Sequence, residues 1–213
     1  MRFNNVKKIV FASTGSIYGD AKVIPTPEDA PFPTQTSLYG ASKLAAEGLI
    51  SAYCEGFQFQ AWIYRFVSVL GPRYTHGHVF DFLRQLLLTD PTTLNVLGDG
   101  NQRKSYMHVN DCIDGMLLGV AKAQEKVNTL NLGFDGYCSV RDSIGWICGR
   151  LGLSPRLNFA GGDRGWIGDS PFIYLDTRRM RSLGWTPKIG IEQAVISTVD
   201  WLQQHPQIFK RRL

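Results

Sequence analysis

The sequence predicts an α/β protein that combines the later part of a doubly wound parallel sheet with a small C-terminal α/β lobe. Two short apolar runs, at residues 8–13 and 61–67, are typical of buried parallel strands, and a helical pattern separates them. Beyond residue 71 the elements become shorter and more mixed, which indicates a second lobe. We therefore expect residues 1–71 to belong to the sheet and residues 72–213 mainly to the lobe, with some segments returning to the sheet.

The individual elements follow from local patterns. Four prolines between Ala21 and Thr36 predict a surface loop, because proline does not fit a helix interior. Ser37 or Thr36 then caps a helix that runs to about Glu55, with one apolar stripe (Leu38, Ala41, Ala45, Leu49 and Ala52). The remaining predicted elements are helix 79–88, strand 94–97, helix 109–123, strand 129–133, helix 140–151, a short helix capped by Thr177, and helix 191–204.

Composition excludes several classes of protein. The chain has 213 residues, of which 44% are hydrophobic and 19% charged, so it is neither disordered nor fibrous. No apolar run approaches the ~20 residues of a membrane helix, and the N-terminus lacks the apolar stretch of a secretory signal. These features predict a cytoplasmic protein. The four cysteines show no metal-type spacing, so we expect reduced thiols and no metal site.

The net charge of +5 raises the question of a polyanionic partner. Most of the cations are scattered along the chain, and the densest groups are residues 178–181 and 210–212. This distribution is typical of a solvated surface and disfavours nucleic acid. An anionic ligand such as a nucleotide diphosphate remains open.

The chemistry is concentrated in one strand end and one helix. Tyr39 and Lys43 stand four residues apart, so both side chains emerge on the same helix face, and Thr14 follows the preceding strand. A phenol has a pKa of about 10, and a nearby ammonium favours its phenolate form. With Thr14 holding a substrate hydroxyl, the set suits proton transfer. A Tyr and Lys at this spacing also occur by chance on helix surfaces.

Five segments turn this set into a recognisable pattern: residues 11–19 (FASTGSIYG), 33–47 (PTQTSLYGASKLAAE), 65–73 (RFVSVLGPR), 98–111 (GDGNQRKSYMHVND) and 183–187 (LGWTP). Their order and spacing resemble the extended short-chain dehydrogenase/reductases, in the NAD-dependent epimerase/dehydratase branch that acts on nucleotide sugars. The resemblance covers almost the whole chain and implies a Rossmann-like sheet with a substrate lobe.

The resemblance implies roles for individual residues. Tyr39 would be the acid/base, Lys43 would lower the pKa of Tyr39 and hold the nicotinamide ribose, and Thr14 would orient the substrate. The nicotinamide pocket of NAD would be lined by Ala12, Ser13, Phe66 and Val67. The nucleotide-diphosphate sugar would be contacted by Ser68, His78, Lys104 and Arg164, each of which has a structural or solvent-facing role as its alternative. Lys104 stands where the family usually has an Arg, so it keeps the charge without the bidentate fork.

Two departures from the family pattern decide the expected activity. Gly15-Ser16 follows the catalytic Thr14, where the 4,6-dehydratases of the family carry an Asp-Glu pair. Without those carboxylates, the best interpretation is a UDP-hexose 4-epimerase that works by transient oxidation at C4. The alternatives are a nucleotide-sugar 4-reductase, another epimerase of the family, or a non-catalytic fragment that binds nucleotide sugar or RNA.

The second departure is that the family's first half is missing from the sequence. No GxxGxxG turn follows any strand, so roughly a hundred residues of βαβαβ structure are lacking. We therefore expect the chain alone to bind NAD poorly and to turn over little substrate unless another chain supplies that half. The family also commonly dimerises through the helix that bears the Tyr, so residues 38–55 with helix 79–88 are a candidate homodimer surface.

Overall fold

The computed structural model describes residues 1–32, 34–162, 165 and 172–210. The strands are β1 (Lys8–Ala12), β2 (Gln60–Phe66), β3 (Ser68–Leu70), β4 (Thr93–Val96), β5 (Arg103–Lys104), β6 (Tyr106–His108), β7 (Val127–Leu132), β8 (Cys138–Ser139) and β9 (Arg156–Phe159). The helices are α1 (Leu38–Phe57), α2 (His78–Arg84), α3 (Val109–Lys122), α4 (Val140–Leu151), α5 (Arg178–Ser182), α6 (Ile191–Gln204) and α7 (Gln207–Lys210). A 3₁₀ turn covers Gly15–Tyr18, and a π turn at Gln85–Thr89 continues α2.

The main sheet has three parallel strands in the order β1-β2-β7. The central strand β2 is buried along most of its length, because it has a neighbour on each side and α1 packs against it. Its apolar run is typical of a strand covered in this way. The predicted α/β class with a parallel sheet is therefore confirmed.

The lobe consists of paired short strands and a helical core. β3 pairs with β6 and β4 with β9, both in parallel, while β5 and β8 are antiparallel. α2, α4 and α6 bury their apolar sides in one core cluster, which includes Phe80, Ile147 and Val199. A second cluster lies under the main sheet and joins Trp62 of β2 to Leu130 of β7. The chain thus leaves the sheet after β2 and returns to it at β7, while the predicted domain boundary at residue 71 stays a prediction.

One expectation about the sheet is wrong. β1 is an edge strand whose residues alternate between exposed and half-buried, so its apolar composition does not make it a buried strand. The predicted apolar stripe of α1 is present and faces outward, with Leu38 92% and Leu49 65% exposed. Helix 79–88 buries Val79, Phe80, Phe82 and Leu83 in the lobe core and exposes Leu87 and Leu88, so its part in a dimer surface stays a prediction.

Helix termini show which local signals act in the fold. The Ser37 hydroxyl accepts a hydrogen bond from the Gly40 amide over 3.0 Å and so caps α1. Thr177, in contrast, does not cap α5, because the Asp176 carboxylate accepts the Arg178 amide at 2.9 Å instead. Within the described part of the chain, no helix is long and apolar enough to span a membrane.

Candidate active site

The end of β1 carries the first group of candidate residues. The Ser13 amide donates to the Tyr64 carbonyl at 2.8 Å, which extends the pairing with β2 by one residue beyond β1. Thr14 then caps the 3₁₀ turn: its hydroxyl accepts from the Ser16 amide at 3.1 Å and donates to the Ser16 hydroxyl at 3.2 Å. The Thr14 side chain is therefore held at the carboxyl edge of the sheet, where ligands bind in open α/β folds.

α1 brings the phenol and the ammonium to this edge. Its first turn lies close to the 3₁₀ turn, because a Cβ on Gly40 would stand only 2.8 Å from the Ser16 carbonyl oxygen. The Lys43 Nζ donates to the Ala12 carbonyl over 2.8 Å, and it lies 5.8 Å from the centre of the Tyr39 ring. The Tyr39 side chain is 54% exposed, so a ligand can reach it.

A buried ion pair lies behind these residues. The Arg65 guanidinium on β2 binds the Glu47 carboxylate on α1, with a closest N–O distance of 2.7 Å, and the Ser13 hydroxyl donates to Glu47. Another Arg65 nitrogen, Nη1, donates to the Tyr18 hydroxyl at 2.6 Å. Burial raises the pKa of Tyr18 despite the opposing charge of Arg65, so the phenol stays protonated and donates to Asn131.

Sequence reasoning gave Glu47 and Arg65 no role. The signal that points to Glu47 is its spacing, because it stands one further helical turn after Tyr39 and Lys43 and shares their face. No comparable local signal exists for Arg65, since it reaches Glu47 only through the packing of β2 under α1.

The expected nicotinamide-pocket residues come together at one edge of the sheet. β1 and β2 are in register with Ala12 opposite Tyr64, so Phe66 and Val67 lie just beyond the level at which β1 ends. A Cβ on Gly15 would be 3.1 Å from the Phe66 carbonyl oxygen, which shows how closely the chain after Thr14 approaches this strand end. Val67 is buried and Phe66 half-buried.

The predicted substrate residues form a second group around Tyr106. Ser68 pairs with Tyr106 across β3 and β6, and the Tyr106 hydroxyl lies 3.1 Å from His78 Nδ1. The other ring nitrogen of His78 lies 2.7 Å from the Ser143 hydroxyl. Burial, assisted by the charge of Lys104, lowers the pKa of His78 to about 3, so the imidazole is neutral at ordinary pH. Both of its nitrogens already have protein partners.

Two arginines are further candidates for substrate contact, one predicted from the sequence and one not. Arg164 lies outside the described residues, so its substrate role stays a prediction. Arg103, to which the sequence reasoning gave no role, lies over the Phe172 ring at 4.4 Å and over the Tyr137 ring at 5.4 Å. This exposed stack flanks Lys104 on β5 and so adds a second cation to this side of the lobe.

Comparison with known proteins agrees with this geometry. The model of the NAD dependent epimerase/dehydratase family matches residues 1–133. A UDP-glucose 4-epimerase from Mycolicibacterium smegmatis is 29% identical over 213 residues, which cover 97% of this chain and 66% of that protein. The mouse dTDP-D-glucose 4,6-dehydratase is 26% identical over 208 residues, covering 94% of this chain and 57% of that protein.

Solved structures give the same result. A crystal structure of a UDP-galactose 4-epimerase superposes with a TM-score of 0.85 at 32% identity, covering 95% of this chain and 65% of that one. A UDP-glucuronic acid 4-epimerase from Bacillus cereus, solved with UDP-glucuronic acid and NAD, superposes with a TM-score of 0.83 at 26% identity, covering 92% of this chain and 62% of that one.

These matches, together with the Tyr39–Lys43 geometry at the sheet edge, show that the chain belongs to the NAD dependent epimerase/dehydratase family. The resemblance inferred from the five sequence segments is confirmed. The chain spans about two thirds of the length of the relatives that it matches. Epimerases and dehydratases match with similar identity, so the reaction has to be argued from the site itself.

Proposed function

We propose that this chain carries the proton-transfer residues and the substrate lobe of an NAD-dependent nucleotide-sugar epimerase, with UDP-hexose 4-epimerisation as its reaction. The observation that carries the proposal is the Lys43 ammonium, held on the Ala12 carbonyl at 2.8 Å and 5.8 Å from the Tyr39 ring. A positive charge beside this ring is the arrangement that favours negative charge on the Tyr39 oxygen. Water reaches the exposed phenol and weakens this attraction.

In the proposed reaction, Tyr39 removes the proton of the C4 hydroxyl and later returns it to the C4 oxygen of a product whose configuration at C4 is inverted. Lys43 stabilises the negative charge on the Tyr39 oxygen, and Thr14 holds the sugar hydroxyl within reach of the phenol. The hydroxyl of Thr14 now donates to Ser16, so it must turn from Ser16 to donate to a sugar oxygen. NAD, when bound, supplies the hydride acceptor at C4 and returns the hydride.

The chain's residues fit the nicotinamide end of NAD. An ammonium has three N–H donors, and Lys43 uses one on Ala12, which leaves the others for a ribose hydroxyl and the Tyr39 oxygen. Ala12, Ser13, Phe66 and Val67 are proposed to line the nicotinamide pocket, since all lie at the same edge of the sheet.

The surroundings of Gly15 favour epimerisation over dehydration. A Cβ on Gly15 would stand 2.6 Å from Ile173 Cγ2 and 3.1 Å from the Phe66 carbonyl oxygen, so the position has no room for a carboxylate side chain. Ser16 is half-buried, and its hydroxyl accepts a hydrogen bond from Thr14. Elimination of water from the sugar needs a separate acid and base, and this side of the pocket provides neither.

The substrate proposal rests on the second group of residues. Lys104 places a positive charge beside Tyr106, and Ser68 lies on the neighbouring strand, so a nucleotide diphosphate is proposed to bind across them. Arg164 is kept as a proposed phosphate contact. Both nitrogens of His78 are engaged, so it is proposed to contact the substrate through the face or edge of its ring.

A homodimer through α1 is also proposed. Leu38, Leu49 and Tyr53 expose apolar surface along this helix, and a second copy of α1 would cover it. Sedimentation at increasing protein concentration tests this assembly, and a Leu49→Lys variant should remain monomeric under conditions where the parent associates.

Because the chain alone is expected to bind NAD poorly, the reaction is tested on the chain joined to a GxxGxxG-bearing N-terminal half, which is incubated with UDP-galactose and millimolar NAD while the sugar is followed by proton NMR. We expect interconversion with UDP-glucose without net formation of NADH, and no interconversion by Tyr39→Phe or Lys43→Met. A 4-keto-6-deoxy sugar would identify a dehydratase, and NADH formed in step with sugar oxidation would identify a dehydrogenase. Salt-dependent RNA binding without any response to UDP-glucose would contradict the proposal and favour a binding module.

A further inference from the structure

The ion pair behind the active site has no part in the proposed reaction. Glu47 and Arg65 are each 5% exposed. Arg65 Nη2 lies 2.7 Å from Glu47 Oε2, and Nε lies 3.2 and 3.3 Å from the two carboxylate oxygens. The guanidinium therefore holds the carboxylate with its planar fork, which fixes orientation as well as distance.

The far side of Arg65 is fixed as well. Nη1 donates to the Tyr18 hydroxyl at 2.6 Å and to the Glu28 carbonyl at 2.8 Å. Five N–H···O contacts thus leave the guanidinium little freedom to move. Arg65 lies on the central strand β2, which is buried along most of its length, so its backbone is held firmly in the sheet.

The pair reaches the active site through Ser13. The Ser13 hydroxyl donates to Glu47 Oε1, while the carbonyl of the preceding residue, Ala12, accepts from Lys43 Nζ. Lys43 and Glu47 are one helical turn apart on α1, so two neighbouring side chains of one helix hold the same short stretch of chain. Thr14 follows this stretch directly.

α1 is held near Tyr39 by the close approach of Gly40 to the 3₁₀ turn, and further along by buried side chains. The fully buried residues of this 20-residue helix are Gly40, Glu47 and Cys54. The apolar residues Leu38 and Leu49 face outward, whereas Leu44 packs, half-buried, against the cluster under the main sheet. Glu47 is the buried side chain nearest to Lys43 that makes a directional contact with the sheet.

We propose that Glu47 and Arg65 are positioning residues: their ion pair holds Ser13 and sets the register of α1 against β1, so that Lys43 meets the Ala12 carbonyl beside Tyr39. The catalytic roles of Tyr39 and Lys43 rest on the proposed function, but the hydrogen bond between Lys43 and the Ala12 carbonyl exists independently of it. The position of Lys43 can therefore be measured without turnover.

The Ala12 carbonyl supplies the readout. Labelling with [1-¹³C]alanine and [¹⁵N]serine marks only two peptide bonds, 12–13 and 41–42, because these are the only Ala-Ser pairs in the sequence. Ser42→Ala removes the second signal and so assigns both. Lys43→Met gives the position of the Ala12 carbonyl resonance when the hydrogen bond from Lys43 is lost.

Two variants test the pair. Glu47→Met with Arg65→Met removes both charges and leaves no unpaired one, and Arg65→Lys keeps the charge balance but loses the fork. We expect the first to move the Ala12 resonance to the position seen in Lys43→Met and the second to move it part of the way. The Ala41 signal within α1 should stay in place. An Ala12 resonance unchanged in Arg65→Lys and in any folded double variant would overturn the proposal.

A control variant separates positioning from general loss of stability. Thr198→Val removes a buried hydroxyl in the lobe, far along the chain from this site, and should leave the Ala12 resonance unmoved. An equal shift in this control would also overturn the proposal. If the resonance shifts are as expected but no sugar interconversion is seen, the proposed function alone is rejected. If interconversion is seen but the Ala12 resonance of the variants does not move, the positioning role alone is rejected.

Discussion

Gly40 and Gly48 lie in the same helix and face different surroundings, which makes them a matched pair for mutation. A Cβ on Gly40 would stand 2.8 Å from the Ser16 carbonyl oxygen and 3.1 Å from both Gln35 Oε1 and Ser37 Oγ. A Cβ on Gly48 would meet nothing within 4 Å. Both substitutions to alanine gain helix propensity of up to about 1 kcal/mol.

The gain is common to both variants, so their difference isolates the close contact at Gly40. We expect Gly48→Ala to raise the free energy of unfolding by about 0.5–1 kcal/mol. Gly40→Ala should fall below Gly48→Ala by about 1–3 kcal/mol, the usual cost of overpacking, because a backbone carbonyl cannot rotate away as a side chain can. Urea unfolding followed by circular dichroism measures both values.

Equal stability of the two variants would refute the close approach of α1 to the 3₁₀ turn. The comparison also bears on the active site, since the same approach places Tyr39 beside the chain that follows Thr14. A Gly40→Ala chain that folds with α1 displaced should bind nucleotide sugar less well, whereas Gly48→Ala should not.

Three further predictions concern the pH dependence, the lobe and the thiols. Because burial lowers the pKa of His78 from 6.5 to about 3, the unfolded chain takes up a proton below pH 6.5 that the folded chain does not. The free energy of unfolding should therefore decrease by about 2 kcal/mol as the pH is lowered from neutral to 5, and the decrease should be smaller in His78→Gln. The Gly71 amide donates to the Thr198 hydroxyl over 2.8 Å, so Thr198→Val should lower the free energy of unfolding by about 1–3 kcal/mol in a urea titration. Burial raises the pKa of Cys112 and Cys138 to about 12, so both should react with Ellman's reagent at pH 8 only after denaturation.

Each of these predictions has a clear contrary result. Parallel pH–stability curves for wild type and His78→Gln would show that the imidazole titrates normally. A Thr198→Val chain as stable as wild type would show that the Gly71 amide has another acceptor. Rapid reaction of all four thiols in the native chain would show that Cys112 and Cys138 are accessible.

Local signals in the sequence were sufficient for the longer helices. α4 and α6 begin and end at the predicted residues, because apolar periodicity and, for α4, a Ser139–Asp142 capping box define them within a few residues. The central strand β2 was also predictable, since its apolar run is covered on both sides. These features depend on near neighbours in the chain.

Features that depend on distant partners were not predictable. β5 and β8 are two residues long and pair across more than thirty positions, so no local pattern marks them. The apolar residues of β1 and α1 have the composition of a buried surface, and whether they are buried depends on what packs against them.

The candidate site likewise has features that local spacing predicts and features that only the fold brings together. The Tyr39–Lys43 pair could be found from spacing, and the structure places it against Ala12. Glu47 would be expected on a solvated helix face, and only the fold brings Arg65 to it. The grouping of Ser68 and Lys104 around Tyr106 likewise arises from the pairing of β3 with β6, which joins residues almost forty positions apart.

The order of strands in the main sheet has a consequence for biosynthesis. β2 pairs with β1 along one edge as soon as both have been made, but its other edge waits for β7, whose first partner, Val127, follows Ala61 by dozens of residues. At about 5–20 residues per second, translation leaves the middle strand half-paired for several seconds while the lobe is still being synthesised. Pairing over such a distance forms slowly, so chaperones should be needed to protect the unpaired edge of β2 in nascent chains until β7 has left the ribosome.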